Sequence, residues 1–286
     1  MPIKFFVIKT KTSNKQIIDL LSNSAKNGGL EIVEIDADLF NEQEFSKEYP
    51  NPGIFYRVSL GISSYTIEEI LISLGHVGLN RDSVNSRIPY KNENYFLQSR
   101  GIPIPKTIFV PSKNKKMLDL QLNYLVKPPY VIKVLGGTGG IGVIKVDSKE
   151  SLYGIVDFFF VNNFEFTIME YFDFSTYGRL FVLGNSVIAT KENLRQDGDF
   201  RTNEGKPVKK DFPQEICDIA VRAVAELGVE FGGVDVLLKS SGEFVVSEVN
   251  YPSSFLSTQL TSEVPISDLI LSFLKNKFNK KFLREK

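Results

Sequence analysis

The 286-residue sequence holds one cysteine, one histidine and no tryptophan. A single cysteine, Cys217, excludes an intrachain disulfide and suits a reducing compartment. A single histidine, His76, excludes a Cys/His metal cluster and argues against a His-dependent catalytic triad. There is no excess of either charge: 34 Lys and Arg balance 34 Asp and Glu, so no global basic field draws the chain to nucleic acid. No run approaches the ~20 apolar residues of a membrane span. The opening Met1-Pro-Ile-Lys-Phe-Phe-Val-Ile-Lys9 lacks a signal-peptide pattern. These absences lead to the expectation of a cytoplasmic protein without a membrane or nucleic-acid partner. A hydrophobic content of 42% and a charged content of 24% are ordinary for a soluble enzyme. The length allows one large domain or two or three small ones.

Ile3 to Ile8 reads as a buried strand. A helix over Lys15 to Asn27 follows, with Ser13 as its cap and Gly28-Gly29 as its stop. Leu30 to Ile35 is a second strand, then a polar stretch runs to Tyr49. Gly53 to Val58 is a third strand, Ile67 to Leu74 a short helix, and Val77 to Leu79 a short strand. This alternation predicts a small parallel α/β unit. Arg57 sits at a strand's carboxyl end, where open α/β sheets place ligands, or is a surface arginine. Residues 81–92 look like a boundary, and Asn92 to Arg100 reads as a helix. Gly101-Ile-Pro-Ile-Pro-Lys-Thr107 is too proline-rich for helix and must be extended. Further on, Ser148 to Val161 is helical and Phe164 to Phe172 a strand. Leu180–Leu183 and Ser186–Thr190 form a hairpin around Gly184-Asn185. Lys191 to Lys210 reads as a long polar loop, which in a compact domain is usually functional or disordered. A helix from Phe212-Pro213 to Leu227 carries a stripe of Ile216, Ala220, Ala223 and Val224. Cys217 lies beside that stripe and reads as packing. Asp268 to Phe282 is a closing helix.

Two stretches interrupt buried patterns with charge. In Gly233-Val-Asp-Val-Leu-Leu-Lys-Ser-Ser-Gly-Glu-Phe-Val-Val-Ser-Glu-Val-Asn250, two β-rich runs flank Ser241-Gly242. If that pair is the turn, Asp235 faces Glu248 across the hairpin, and Asn250 shares their face. Two like charges at ~5 Å repel by about 3 kcal/mol at an effective dielectric near 20. A divalent cation relieves that repulsion, and carboxylate and amide oxygens suit Mg2+. The alternative is a solvated strand face with an accidental charge pair.

The second stretch is the strand Tyr130 to Leu135, followed by Gly136-Gly-Thr-Gly-Gly-Ile-Gly142 and the strand Val143 to Val146. The glycines contain a literal G-x-G-x-x-G, but a dinucleotide fold needs a helix after it, and Val143-Ile-Lys-Val is strand-like. The segment reads as a glycine-rich hairpin loop. Gly137, Thr138, Gly139 and Gly140 can bring backbone N–H groups close to phosphates, or they form a mobile hairpin tip. Lys133 interrupts an apolar face beside the loop and is a candidate phosphate ligand. Lys145 is expected to face water.

Taken together, these stretches resemble the ATP-grasp superfamily, and within it the glutamate-ligase branch, whose members add glutamate to a ribosomal protein tail or to the carrier protein of lysine biosynthesis. The residues that carry the likeness are Gly101 to Thr107, Tyr130 to Lys133 with its glycine loop, Met169-Glu-Tyr171, Phe200-Arg-Thr-Asn203, Gly233-Val-Asp235 and Glu248-Val-Asn250. The resemblance implies an α/β (α+β) fold: an N-terminal parallel α/β domain over 1–85, a central ATP-grasp subdomain with a glycine-rich lid over 86–172, and a C-terminal subdomain carrying the metal ligands over 173–286. It implies that Lys133 and Lys91 touch ATP phosphates, and that Glu170, Tyr171 and Phe172 form the adenine hinge. Arg201, Thr202 and Asn203 would meet phosphate and the reacting carboxylate, and Arg179 would help hold an acidic substrate. Asp235, Glu248 and Asn250 would bind Mg2+ or Mn2+. The chain departs from the pattern at Tyr177, where relatives often carry an acid. It departs again at Tyr251-Pro-Ser-Ser-Phe255, where they often read Ser-Ser-Pro-Gly.

The resemblance implies an ATP-dependent carboxylate–amine ligase working through an acyl phosphate. The expected partners are ATP and an acidic amino acid, peptide or carrier protein, and the expected assembly is a homodimer or homotetramer. With the acids neutralised by metal, Arg179 and Arg201 are expected as free cations. Two rival readings are an ATP-grasp phosphotransferase that stops at phosphoryl transfer to a small acceptor, and a nucleotide-binding module without catalysis.

Overall fold

The computed structural model describes residues 2–80, 93–125, 127–136, 140–193 and 207–282. The chain opens on β1 (Lys4–Lys9), whose four central residues Phe5 to Ile8 are fully buried. β2 (Glu31–Asp36) and β3 (Ile54–Arg57) flank it in a parallel sheet of order β2-β1-β3. Val77 adds a parallel bridge to Ile54 rather than the expected short strand. The helix α1 (Lys15–Asn27) buries Ile17, Ile18 and Leu21. Its cap is Asn14, whose Oδ1 accepts from the N–H groups of Gln16 and Ile17 at 2.9 and 3.3 Å. Ser13, the expected cap, instead accepts from Thr10 N–H one turn earlier. The stretch read as merely polar holds α2 (Glu42–Glu48), capped by Asn41 and buried only at Phe45. The helix α3 spans Ile62–Ser73 and begins five residues before the expected start, directly after Gly61 at φ +120°.

The central sheet is antiparallel. After α4 (Glu93–Ser99) come β4 (Thr107–Ile108), α5 (Lys115–Leu125), β5 (Tyr130–Val134), β6 (Val143–Val146), α6 (Lys149–Val161) and β7 (Phe166–Glu170). The strand order is β4-β7-β5-β6. One face packs Ile132 and Ile168 against Leu118, Leu122, Leu152 and Val156 of the two helices. Strand alternation turns Lys133 and Thr167, an opposed pair, to the other face. The glycine segment joins two antiparallel strands, so it is a hairpin loop and not a dinucleotide turn.

The third sheet runs β10-β9-β8-β11-β12, from β8 (Thr176–Leu183), β9 (Ser186–Asn193), β10 (Pro207–Val208), β11 (Phe231–Leu238) and β12 (Phe244–Asn250). The helix α7 (Gln214–Glu226) lays Ile216, Ala220, Ala223 and Val224 on Val234, Val236, Val246 and Val249 of the sheet. Leu97, Ile102 and Ile104 join this core, although they precede the central sheet in sequence. Cys217 packs at its margin, and burial raises its thiol. After α8 (Leu256–Ser262), α9 (Ile266–Phe282) buries Ile266, Ile270 and Leu274 in one core with Phe5, Val7, Leu21 and Phe231. Among the described residues no helix is long and apolar enough to cross a membrane.

The hairpin of β11 and β12 opposes Asp235 to Glu248, as the sequence predicts, but by a different route. Leu238 pairs with Phe244, so the loop is longer than Ser241-Gly242 and closes with Lys239 N–H on Glu243 O at 2.8 Å. That register differs by one residue from the expected one. A bulge between the Asp235 and Val236 pairings leaves Ser247 as an extra residue on β12 and restores the register. Val246 therefore faces the α7 core with Val236, while Glu248 turns to the opposite face with Asp235. Asn94 Nδ2 donates to Ser247 O at 3.1 Å, and Val246 N–H donates to Pro103 O at 2.7 Å. The extended proline-rich segment thus supports the bulged strand.

Candidate active site

The site face of the third sheet carries one cross-strand row: Lys191 on β9, Arg179 on β8, Asp235 on β11 and Glu248 on β12. Opposed residues in antiparallel strands point the same way, so two cations and two carboxylates lie side by side. Arg179 grips Asp235 with both arms, Nε to Oδ1 at 2.5 Å and Nη2 to Oδ2 at 2.6 Å. It is therefore not the free cation the sequence suggested. Asp235 is 1% exposed. Burial pushes its carboxyl up, with Arg179 opposing. Asn250 Nδ2 lies 3.2 Å from both Asp235 Oδ2 and Glu248 Oε1, so the two carboxylates converge on one point.

Lys133 crosses from the central sheet to donate to Glu248 Oε2 at 2.6 Å. Burial raises the Glu248 carboxyl, but Lys133 and the bond from Asn250 outweigh it and bring the group down to about 2. The contact joins the two sheets at a cleft of about 530 Å3. Thr107, Thr167 and Met169 of the central sheet, Leu135 and Gly136 at the hairpin mouth, and Tyr65 of α3 line it. Glu93, also on its wall, keeps an exposed surface. Partial desolvation and then Glu248 raise its carboxyl to about 7, with Lys133 opposing.

The expected hinge residues begin at Glu170, the last residue of β7. Glu170 Oε1 accepts from Lys106 N–H at 2.9 Å, which ties β7 to the chain before β4. Phe172 packs with Phe174, Tyr177, Leu237 and Val245, an apolar patch on the same sheet face as Asp235. Lys145 does not simply face water. It shares a sheet face with Lys133, and its Nζ stands 4.6 Å from the Tyr171 ring centroid. Gly136, at φ +83°, sits at the loop's start, and Gly142, also at φ +83°, would bring a side chain's Cβ to 3.0 Å from Val134 Cβ. Gly140, at φ +78°, is placed within the hairpin loop. Lys91, Gly137, Thr138, Gly139, Arg201, Thr202 and Asn203 lie outside the described residues.

Arg57 is neither a cleft cation nor a surface one. It is 1% exposed, with Nε on Glu68 Oε2 at 2.6 Å and Nη1 on Ser59 O at 2.8 Å. Its guanidinium stacks 3.8 Å from the Tyr65 ring centroid. Glu68 also accepts from Tyr251 Oη at 2.7 Å, and Tyr251 directly follows Asn250. This buried network ties the N-terminal unit to the strand end that holds the candidate metal ligands. The sequence puts Glu68 inside the expected helix Ile67 to Leu74 and marks Tyr251 as a departure from the family pattern, but their meeting with Arg57 is decided by how α3 and the end of β12 pack, which local signals do not carry. It missed Lys191 because β9 continues to Asn193, where the sequence looked like loop.

Among the described residues no group of three or more His, Cys, Asp or Glu side chains could hold a metal. The candidate set is two carboxylates and an amide, which is the hard-oxygen chemistry of Mg2+. The donor set fits. Asn250 already places hydrogen-bond donors where both carboxylates converge, and turning its amide would present oxygen to the same point.

A RimK-like ATP-grasp domain model matches residues 91–274. The chain belongs to the RimK-like ATP-grasp family. A protein named "Probable alpha-L-glutamate ligase" from Legionella pneumophila (strain Corby) is 32% identical over 212 residues, covering 72% of this chain and 69% of its own. One of the same name from Haemophilus influenzae (strain 86-028NP) is 28% identical over 204 residues, covering 70% of this chain and 66% of its own. The match thus spans about two thirds of the length of these curated relatives. Among solved structures, the ATP-grasp ligase PsnB with a phosphomimetic variant of its minimal precursor, Mg and ADP has a TM-score of 0.73 at 16% identity, covering 94% of this chain and 98% of that one. The D-alanine--D-alanine ligase from Bacillus anthracis has a TM-score of 0.72 at 19% identity, covering 99% and 100%. At these identities the neighbours establish the fold, ATP-grasp throughout.

Proposed function

We propose that this RimK-like ATP-grasp protein is an ATP-dependent carboxylate–amine ligase acting on an acidic amino acid, or on an acidic peptide or carrier protein. The reading rests on one observation above the others: Lys133 of one sheet and the Asp235–Glu248–Asn250 group of another meet across a single cleft. The relatives named as glutamate ligases point the same way for the substrate.

In this reading a substrate carboxylate attacks the γ-phosphate of ATP, giving an acyl phosphate and ADP. An amine then adds to the acyl carbon, and the tetrahedral adduct expels phosphate to leave an amide. Phosphoryl transfer is chiefly positioning and charge neutralisation, so no histidine base is required. Asp235, Glu248 and Asn250 hold Mg2+, or Mn2+ in its place. When bound, the ion neutralises charge on the phosphates. Lys133 exchanges Glu248 for a phosphate oxygen. Arg179 holds Asp235 in place and opposes the rise that burial imposes on its carboxyl. The apolar patch around Phe172 receives the adenine. The glycine hairpin, closing over the phosphates with Lys91, excludes water that would hydrolyse the acyl phosphate. Arg201, Thr202 and Asn203 complete the contacts to phosphate and carboxylate. The division at residues 85 and 172 then separates the N-terminal unit, the nucleotide lid and the metal-binding subdomain.

The test is ADP release screened over amino acids paired with acidic peptides, with product masses read in parallel. An amide product formed with ADP and phosphate supports the ligase. A phosphorylated acceptor that accumulates without any amine would show a phosphotransferase instead.

A further inference from the structure

The row that bears the candidate metal ligands continues past Arg179 to Lys191, whose chemistry the ligase scheme above does not use. Lys191 is 7% exposed, and its Nζ donates to Ser257 Oγ at 3.0 Å. No carboxylate pairs with it among the described residues, although an ammonium carries three donors. Buried charges are ordinarily paired. Burial and the neighbouring Arg179 push this ammonium down to about 8, with Asp235 opposing. Arg179 spends Nε and Nη2 on Asp235, and Nη1 has no partner among the described residues.

A second, independent feature lies in the loop after Asn250. Ser253 is 3% exposed, and its Oγ is buried without a hydrogen-bond partner. It packs over Gly233, where an added Cβ would meet Ser253 Oγ at 2.2 Å and Arg179 Cδ at 3.3 Å. Among the described residues, an ammonium without a carboxylate partner and a guanidinium nitrogen without an acceptor thus share the row with Asp235, and an unpartnered hydroxyl packs over Gly233 beside Arg179.

We propose that Lys191, with Arg179, Ser253 and Ser257, forms a carboxylate subsite that holds the non-reacting carboxylate of the acidic substrate. The inference rests on the ligase reading and gives it a specificity determinant. Lys191 and Asp235 sit two strand spacings apart, about 10 Å. A short dicarboxylic amino acid laid along the row puts one carboxylate beside the metal ligands and the other at Lys191. Ammonium and hydroxyl donors are then satisfied, and the buried cation gains its counter-ion. A glutamine amide in the same place offers one neutral acceptor oxygen and no counter-charge, and its NH2 faces donors, so the subsite selects against it.

The test is calorimetric titration of L-glutamate and of L-glutamine into the protein saturated with Mg2+ and ADP. Wild type, Lys191→Met, Lys191→Arg and Ser257→Ala are compared. L-glutamate is expected to bind wild type at least tenfold more tightly than L-glutamine. Lys191→Met should weaken L-glutamate at least tenfold and erase that preference, with Mg2+–ADP affinity held within twofold. Lys191→Arg should recover part of the loss, and Ser257→Ala should cost a few-fold. If Lys191→Met binds L-glutamate as wild type does, the subsite is refuted while the acidic-substrate reading stands. If wild type shows no preference for L-glutamate and turns over only with neutral amino acids, the acidic-substrate reading fails and the subsite with it.

Discussion

At the scale of single residues, the site is an arrangement of paired charges. Lys133 and Glu248 neutralise each other at 2.6 Å. Glu248→Gln keeps the shape and removes the charge. It is expected to lower ADP release at least a hundredfold, with the melting temperature little changed. Near-wild-type release at saturating Mg2+ would contradict its role as metal ligand. Lys133→Ala should weaken ATP binding by at least tenfold in a nucleotide titration. Lys145→Ala should cost less, because its Nζ stands over the Tyr171 ring rather than beside Glu248. Equal losses would remove the distinction. The pairing of Asp235 with Glu248 was readable in the sequence because two apolar strands made any acid conspicuous. Arg179 and Lys191 were not readable as its neighbours, since which strand lies beside β11 is decided by sheet order, and these two residues stand 56 and 44 positions before Asp235.

At the scale of elements, two close approaches set the site's shape. The bulge at Ser247 decides which face Glu248 occupies, and the loop after Asn250 folds back onto β11. Local sequence signals found the strands, but the loop length and the bulge were hidden because their register errors cancel. The helix α5 has no counterpart among the expected elements, although Leu118, Leu122 and Leu125 recur at helical spacing behind the Asn114 cap. Gly233 is the testable contact. Gly233→Ala would press a methyl group into Ser253 Oγ, and overpacking of this kind costs about 1–3 kcal/mol. Urea denaturation should show that loss, and L-glutamate binding should weaken with it. A variant as stable as wild type would mean that the loop yields freely.

At the scale of the whole molecule, the N-terminal unit is held by buried polar contacts as well as by its shared core. Arg57 and Glu68 are both fully buried, and such pairs add little net stability but are costly to break. Glu68→Gln is expected to destabilise the protein by about 3 kcal/mol, since the Arg57 charge is left buried. An unchanged urea midpoint would contradict that. His76 sets an acid limit. Its Nδ1 accepts from Gly53 N–H at 2.9 Å, and burial, with Lys281 adding to it, lowers the ring to about 4. In the unfolded chain the ring titrates near pH 6.5. Protonation therefore favours the unfolded state: the contribution is present above about pH 6.5 and is lost as pH falls toward 4. The resulting penalty near pH 4 is on the order of 2 kcal/mol after allowance for screening. His76→Asn keeps an acceptor and cannot titrate, so its stability should fall less between about pH 7 and pH 4 than that of wild type. Parallel losses would show that the imidazole is not responsible.

The central claim concerns the whole assembly of cleft, metal ligands and Lys133: that a substrate carboxylate is activated as an acyl phosphate. Isotope transfer measures this directly. With the acidic substrate labelled in its carboxylate by a heavy oxygen isotope, turnover should move one labelled oxygen per turnover into inorganic phosphate, alongside ADP and an amide. Amide formed with unlabelled phosphate would contradict the account.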